Sequence, residues 1–163
     1  MKRNFTEAIL FICTLLSGLY AGTGFFVAMG GNPALKLMSD ATFAEYWQHT
    51  DLYMAARMKI FGPLLLLTVL TAAIVLFKKN RPSFFCMLLA FAILVGDIAF
   101  TLSTNHPLNQ LIQSWDLNNL PSNVNDIKWR VAAAFDSRVI FMISCFLFVL
   151  LAVWLRSNKI NHL

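Results

Sequence analysis

The chain has 163 residues, of which 58% are hydrophobic and only 13% charged. Soluble domains average about 45–50% apolar and about 25% charged, so this composition belongs to a bilayer rather than to water. With a mean hydropathy of +0.66 and about 20 apolar residues needed per crossing, the length supplies four or so membrane spans. That excludes a soluble enzyme domain, a disordered tail, a disulfide-knit secreted module and a second folded domain.

The first apolar run covers residues 8–29, after Lys2 and Arg3. It is too long for a signal peptide and lacks an A-x-A-like cleavage site, so it reads as a retained anchor. Thr14, Ser17, Gly18, Ala21 and Gly22 give it small residues at helical spacing, the usual means of close helix packing in membranes. After Asn32-Pro33, Thr42 and Glu45 stand in capping-box spacing at a helix start near Ser39-Asp40. Apolar residues then recur at Phe43, Tyr46, Trp47, Tyr53, Met54, Met58 and Phe61, a helical stripe running into the second apolar run, residues 60–77. Gly62-Pro63 is expected to kink it.

The short Lys78-Lys79-Asn80-Arg81-Pro82 turn leads to the third run, residues 84–103, interrupted only by Asp97. Asn105-His106-Pro107-Leu108-Asn109 is expected to close this span, with Pro107 in the first turn of a new helix and the asparagines satisfying orphan backbone groups. Pro121-Ser122 opens a second stripe, through Val124, Ile127, Val131, Ala134, Phe135 and Met142, into the fourth run, residues 139–155. The expected fold is all-α: a four-span transmembrane helix bundle with a helical cap formed by extensions of the second and fourth helices.

The net charge is +5. No face interleaves basic and aromatic residues, so nucleic acid is not an expected partner; the basic clusters read as topology signals and contacts to lipid head groups. Lys2, Arg3, Lys78, Lys79, Arg81, Arg156 and Lys159 fall on one side with Glu7, and the other side holds six basic and six acidic residues. The short KKNRP turn decides the orientation, with both termini in the cytoplasm. Cys13, Cys86 and Cys145 lie in apolar runs, without a CxxC or Cys/His cluster, so neither a disulfide framework nor a metal site is expected. No histidine pair lies within the spans for a transmembrane haem, and no phosphate loop or nucleophile motif occurs.

Candidate chemistry rests on few residues. Asp97 is a carboxylate in a membrane helix, costly by about 2.5–3.5 kcal/mol unless it faces a cavity or partner. Thr101 and Asn105 follow it at i+4 and i+8. It reads either as an ion-pairing residue between helices or as a base. Arg57 and Arg138 fall within about 40° of the apolar stripes of their helices, where a charge needs a partner, a polar cavity or a snorkelling path. Lys59, Lys128 and Arg130 fall off the stripes and read as solvated or head-group residues. Counted along the helices, Asp97, Arg138 and Arg57 lie about 20, 25 and 30 Å from the cytoplasmic ends. They are expected to line an outer-leaflet pocket, with Asn105 and His106 at its rim. His106, with an ordinary pKa near neutrality, is a candidate proton acceptor; His49 is a weaker one, and His162 sits in the tail.

The Gly-rich first span ending in Asn32-Pro33-Ala34-Leu35, the Asp40-Ala41-Thr42 helix start, Thr104-Asn105-His106-Pro107-Leu108-Asn109, and the downstream Trp129 and Arg138 resemble the anthrone oxygenase-like membrane proteins. The likeness is one of order and spacing over nearly the whole chain. It implies a four-span bundle in a bacterial cytoplasmic membrane and an oxygenase that needs no cofactor, since some members oxidise anthrones to anthraquinones without one. His106 or Asp97 would then be the base. Arg57 and Arg138 would stabilise an enolate oxygen, and Asn105, Asn109 and Trp129 would contact substrate. The alternative is a non-enzymatic membrane protein whose arginines bind an anionic lipid or small acid.

Overall fold

The computed structural model describes residues 2–161 and the side chains of residues 5–157. His162 and the side chains of Lys2, Arg3 and Lys159 lie outside the described residues. The chain forms α1 (Lys2–Phe26), α2 (Asn32–Leu37), α3 (Asp40–Leu76), α4 (Arg81–Phe100), α5 (His106–Gln113) and α6 (Val124–Asn161). Among the described residues, four long apolar helices could cross a membrane: Phe5–Leu37, Asp40–Leu76, Arg81–Gln113 and Val124–Ser157. Each reaches beyond the apolar run that announces it in sequence.

Two of the four are composite. A π turn, Val27–Gly31, joins α1 to α2, and a second, Thr101–Asn105, joins α4 to α5. Each ends just before a proline segment, Asn32-Pro33 and His106-Pro107. A proline inside a helix removes a donor, and its ring clashes with the carbonyl four residues back. One extra residue per turn accommodates this: the Asn32 amide bonds the Val27 carbonyl and the His106 amide bonds that of Thr101. The third span therefore does not close at Asn105, as expected from sequence, and Asn105 caps nothing.

The other helix signals resolve in detail. Ser39 is the N-cap of α3, its Oγ accepting from the Thr42 amide at 3.2 Å, which corrects the Thr42–Glu45 capping box by one turn. Pro63 is absorbed within the unbroken α3. Asn80 caps α4 through the Ser83 amide at 3.2 Å. Gly18 and Gly24 admit Phe146 and Met142 of α6, a Cβ at either meeting them at 3.3 and 3.1 Å; Gly22 has open space instead.

In cross-section α1 and α4 each pack between α3 and α6, which lie on the diagonal. Two apolar cores stack along the bundle. One, toward the α3–α4 turn, gathers Leu10, Cys13, Leu65, Val69, Met87, Leu94, Cys145 and Val149. The other, toward the long loops, gathers Leu35, Phe43, Trp47, Leu108, Ile112, Val124, Ile127 and Val131. Between them lies a belt of polar side chains.

Candidate functional site

The belt is built around Asp97, the last inward residue of α4, 1% exposed. Arg138 on α6 donates from Nε to Oδ1 at 3.0 Å and from Nη2 to Oδ2 at 3.2 Å. The Tyr20 hydroxyl on α1 donates to Oδ2 as well, and Arg138 Nη2 lies 3.4 Å from the same hydroxyl. The guanidinium also stands over the Phe135 ring, 5.4 Å from its centre. Three helices thus meet at one carboxylate. A fork-on-fork pair with a phenol alongside is the geometry that offsets burying both charges.

One and two turns above Asp97, the same helix face presents Thr101 and Asn105. Asn105 is 2% exposed, and neither its Nδ2 nor its Oδ1 has a hydrogen-bond partner; the Thr101 hydroxyl is likewise buried and unpartnered. A buried amide left in this condition costs about 1–3 kcal/mol. Asn32, delivered inward by the other π turn, makes the contrast. Its Nδ2 donates to the Ala132 carbonyl at 2.8 Å and to Asp136 Oδ1 at 2.7 Å.

On the α3 side the belt has no tight wall. Trp47 meets Phe135 edge-on at 5.4 Å above it, and Phe61 lies 6.4 Å from Tyr20 below it. Between those contacts the six residues Leu52 to Arg57 are all exposed. Six residues are about 1.7 turns, so over this stretch no face of α3 is buried.

That gap corrects the expectation for Arg57. Its position continues the stripe of α3, but the stripe is not buried at this level. Arg57 is exposed, donates to its own Tyr53 carbonyl at 3.0 Å and lies over the Tyr53 ring. Of the expected pocket, the structure brings together Asp97 and Arg138, with Asn105 inside rather than at the rim. His106 is exposed on the first turn of α5, away from the pair, as is His49 on α3. Trp129, 51% exposed, lies under Lys36 on the outside of α6. Asn109 is committed elsewhere: it accepts from Trp47 Nε1 at 3.1 Å and donates to Asp51, tying α5 to α3.

Three residues without a role in the sequence reading carry weight. Tyr20 completes the Asp97 cluster; a tyrosine on an otherwise small-residue helix face needs a hydroxyl partner, which was the available signal. Asn32 is the second. Lys128, expected in solvent, is 4% exposed, its Nζ donating to the Met38 carbonyl at 2.8 Å and to Asp40 at 3.2 Å. Its stem reaches the carbonyl end of α2, where a cation is favoured. Among the described residues no cluster of histidine, cysteine and carboxylate side chains could hold a metal ion.

Comparison with family models, with curated proteins and with solved structures returns no match.

Proposed function

We propose that this chain is an integral membrane protein that binds a small, largely apolar molecule through a carbonyl or hydroxyl group at Asn105. The observation that carries this is the amide itself: a donor and an acceptor, both buried, both unpartnered, beside the free hydroxyl of Thr101. These atoms are closed to solvent in this conformation, so a molecule from the bilayer would enter by displacing side chains beside the exposed stretch Leu52–Arg57 of α3. Arg138 is neutralised by Asp97, which favours an uncharged ligand over the anionic lipid or small acid of the alternative reading. The ends of α3, α5 and α6 around Phe43, Ile112 and Val124 would form a helical cap over this site, on the non-cytoplasmic side, with both termini in the cytoplasm.

An enolisable aromatic ketone such as an anthrone belongs to this ligand class, so the resemblance noted in the sequence is compatible with it. Oxidation of an anthrone by dioxygen turns a CH2 into a carbonyl and releases one water, and it begins with removal of a C–H proton. That step needs a base within reach. Three of the roughly four acceptor positions of Asp97 are taken, and His106 faces outward. Binding, rather than turnover, is the function this geometry supports.

The test is a titration of purified protein with anthrone and with anthraquinone, followed by tryptophan fluorescence. Wild type should saturate at one equivalent, and Asn105→Leu should bind about tenfold more weakly or worse, the loss of one buried hydrogen bond. Anthraquinone appearing from anthrone in air faster than in the variant would favour the oxygenase. Unsaturable uptake that is identical in both proteins sinks the binding site.

A further inference from the structure

A groove of about 510 Å³ runs on the outside of the bundle between the third and fourth spans, over the second π turn. Its α6 side is a floor of small side chains, Ala133, Ala134 and Ser137, ending at Arg130; the facing side carries Phe100 and Thr104. Arg130 is the one charge among the residues that line it. It has no ion-pair partner among the described residues, unlike Arg138, Lys36 and Lys128. The Ser103 and Ser137 hydroxyls donate to their own helix carbonyls at 3.2 and 3.1 Å, so the donors left for a ligand are the Arg130 guanidinium and the Thr104 hydroxyl.

Depth identifies what lies there. Arg156, paired with Glu7, marks the cytoplasmic edge of α6 in the proposed orientation. Twenty residues on, at about 30 Å, the helix reaches Asp136, which pairs with Lys36 at 3.3 Å. Arg130 lies about 9 Å further, at the level of lipid phosphates. Below it, Ala133 and Ala134 span the glycerol level, and Ser137, with Phe100 facing it, reaches the edge of the hydrocarbon.

We propose that this groove seats an acidic phospholipid, its phosphate on Arg130 and Thr104, its glycerol over Ala133 and Ala134, and an acyl chain leaving into the bilayer past Ser137 and Phe100. A lone cation above a small-residue channel is complementary to an anionic head over an alkyl tail. The site is distinct from the Asn105 belt, which does not line the groove.

The experiment is native mass spectrometry of the protein with equal amounts of dioleoyl phosphatidylglycerol and dioleoyl phosphatidylcholine. Wild type should retain one phosphatidylglycerol with about fivefold preference, the effect of one arginine near a membrane surface. Arg130→Gln should abolish the preference and Arg57→Gln should preserve it. Ala133→Phe, which fills the groove without changing charge, should lower the occupancy of both lipids. Tens of millimolar inorganic phosphate should displace neither. Equal retention of the two lipids by wild type, or a preference that survives Arg130→Gln, overturns the proposal.

Discussion

Arg138 holds Asp97 by both carboxylate oxygens across 41 positions of sequence, at 3.0 and 3.2 Å. The pair sits where the two apolar cores part and ties α4 to α6 there. Breaking one half of a buried pair is far costlier than replacing both. Asp97→Asn should therefore destabilise by about 3–5 kcal/mol, and adding Arg138→Met should recover part of that loss. Thermal unfolding of both singles and the double in detergent checks this. Additivity within about 0.5 kcal/mol would mean that the two residues do not act as a unit.

Asn32, which follows the first π turn, and Asn105, which ends the second, should respond in opposite directions. Asn32→Leu removes two hydrogen bonds, one of them to a carboxylate, and should cost about 1.5–3 kcal/mol. Asn105→Leu removes an amide that bonds to nothing in the protein and should stabilise the ligand-free chain by about 1–3 kcal/mol. Melting of the delipidated proteins decides it; a large loss at Asn105 would show that the amide is already satisfied.

Lys128→Met should destabilise by about 1–3 kcal/mol, because the Met38 carbonyl and Asp40 lose their common donor. Arg57→Gln should stay within about 0.5 kcal/mol, as expected of an exposed residue with only local contacts. Equal effects at the two positions would contradict this division between them.

Among the glycines of α1, Gly24→Ala should cost about 1–3 kcal/mol, since the added carbon meets Met142 Sδ at 3.1 Å and Cβ at 3.2 Å. Gly22→Ala should gain up to about 1 kcal/mol of helix propensity, having open space around it. Thermal shifts of the two variants are the readout, and a loss at Gly22 would place a neighbour there.

The four long helices were legible because composition and periodicity act over many residues: no single position decides whether residues 60–77 are apolar. Asp97 and Arg138 were legible for the opposite reason, a charge on an apolar face being conspicuous by itself. Arg57 satisfied the same criterion and yet faces outward. Angular position on a helix says which way a residue points, not whether a neighbour covers it, and α3 is exposed on all faces between Leu52 and Arg57. The π turns were hidden because Asn-Pro and His-Pro read equally well as helix ends. Only packing of the following segment onto the second core keeps the helix going. Lys128 was missed because a long flexible stem decouples the charge from the direction of its Cα–Cβ bond.

Orientation is checked independently by thiol labelling of intact cells, in a background without the native cysteines. Ser114→Cys should react from outside and Lys78→Cys should not, both positions being exposed on the protein. Labelling of residue 78 alone would invert the proposed topology.

The most direct test of the Asn105 site is native mass spectrometry of the protein taken from its native membrane in polymer-bounded lipid discs, so that nothing bound is washed out. Wild type should carry, beyond its phospholipids, one small molecule per chain. Asn105→Leu should lack that mass while keeping its lipids and its fold. A wild-type spectrum with phospholipids alone, or the same small adduct on both proteins, would contradict a ligand held by Asn105.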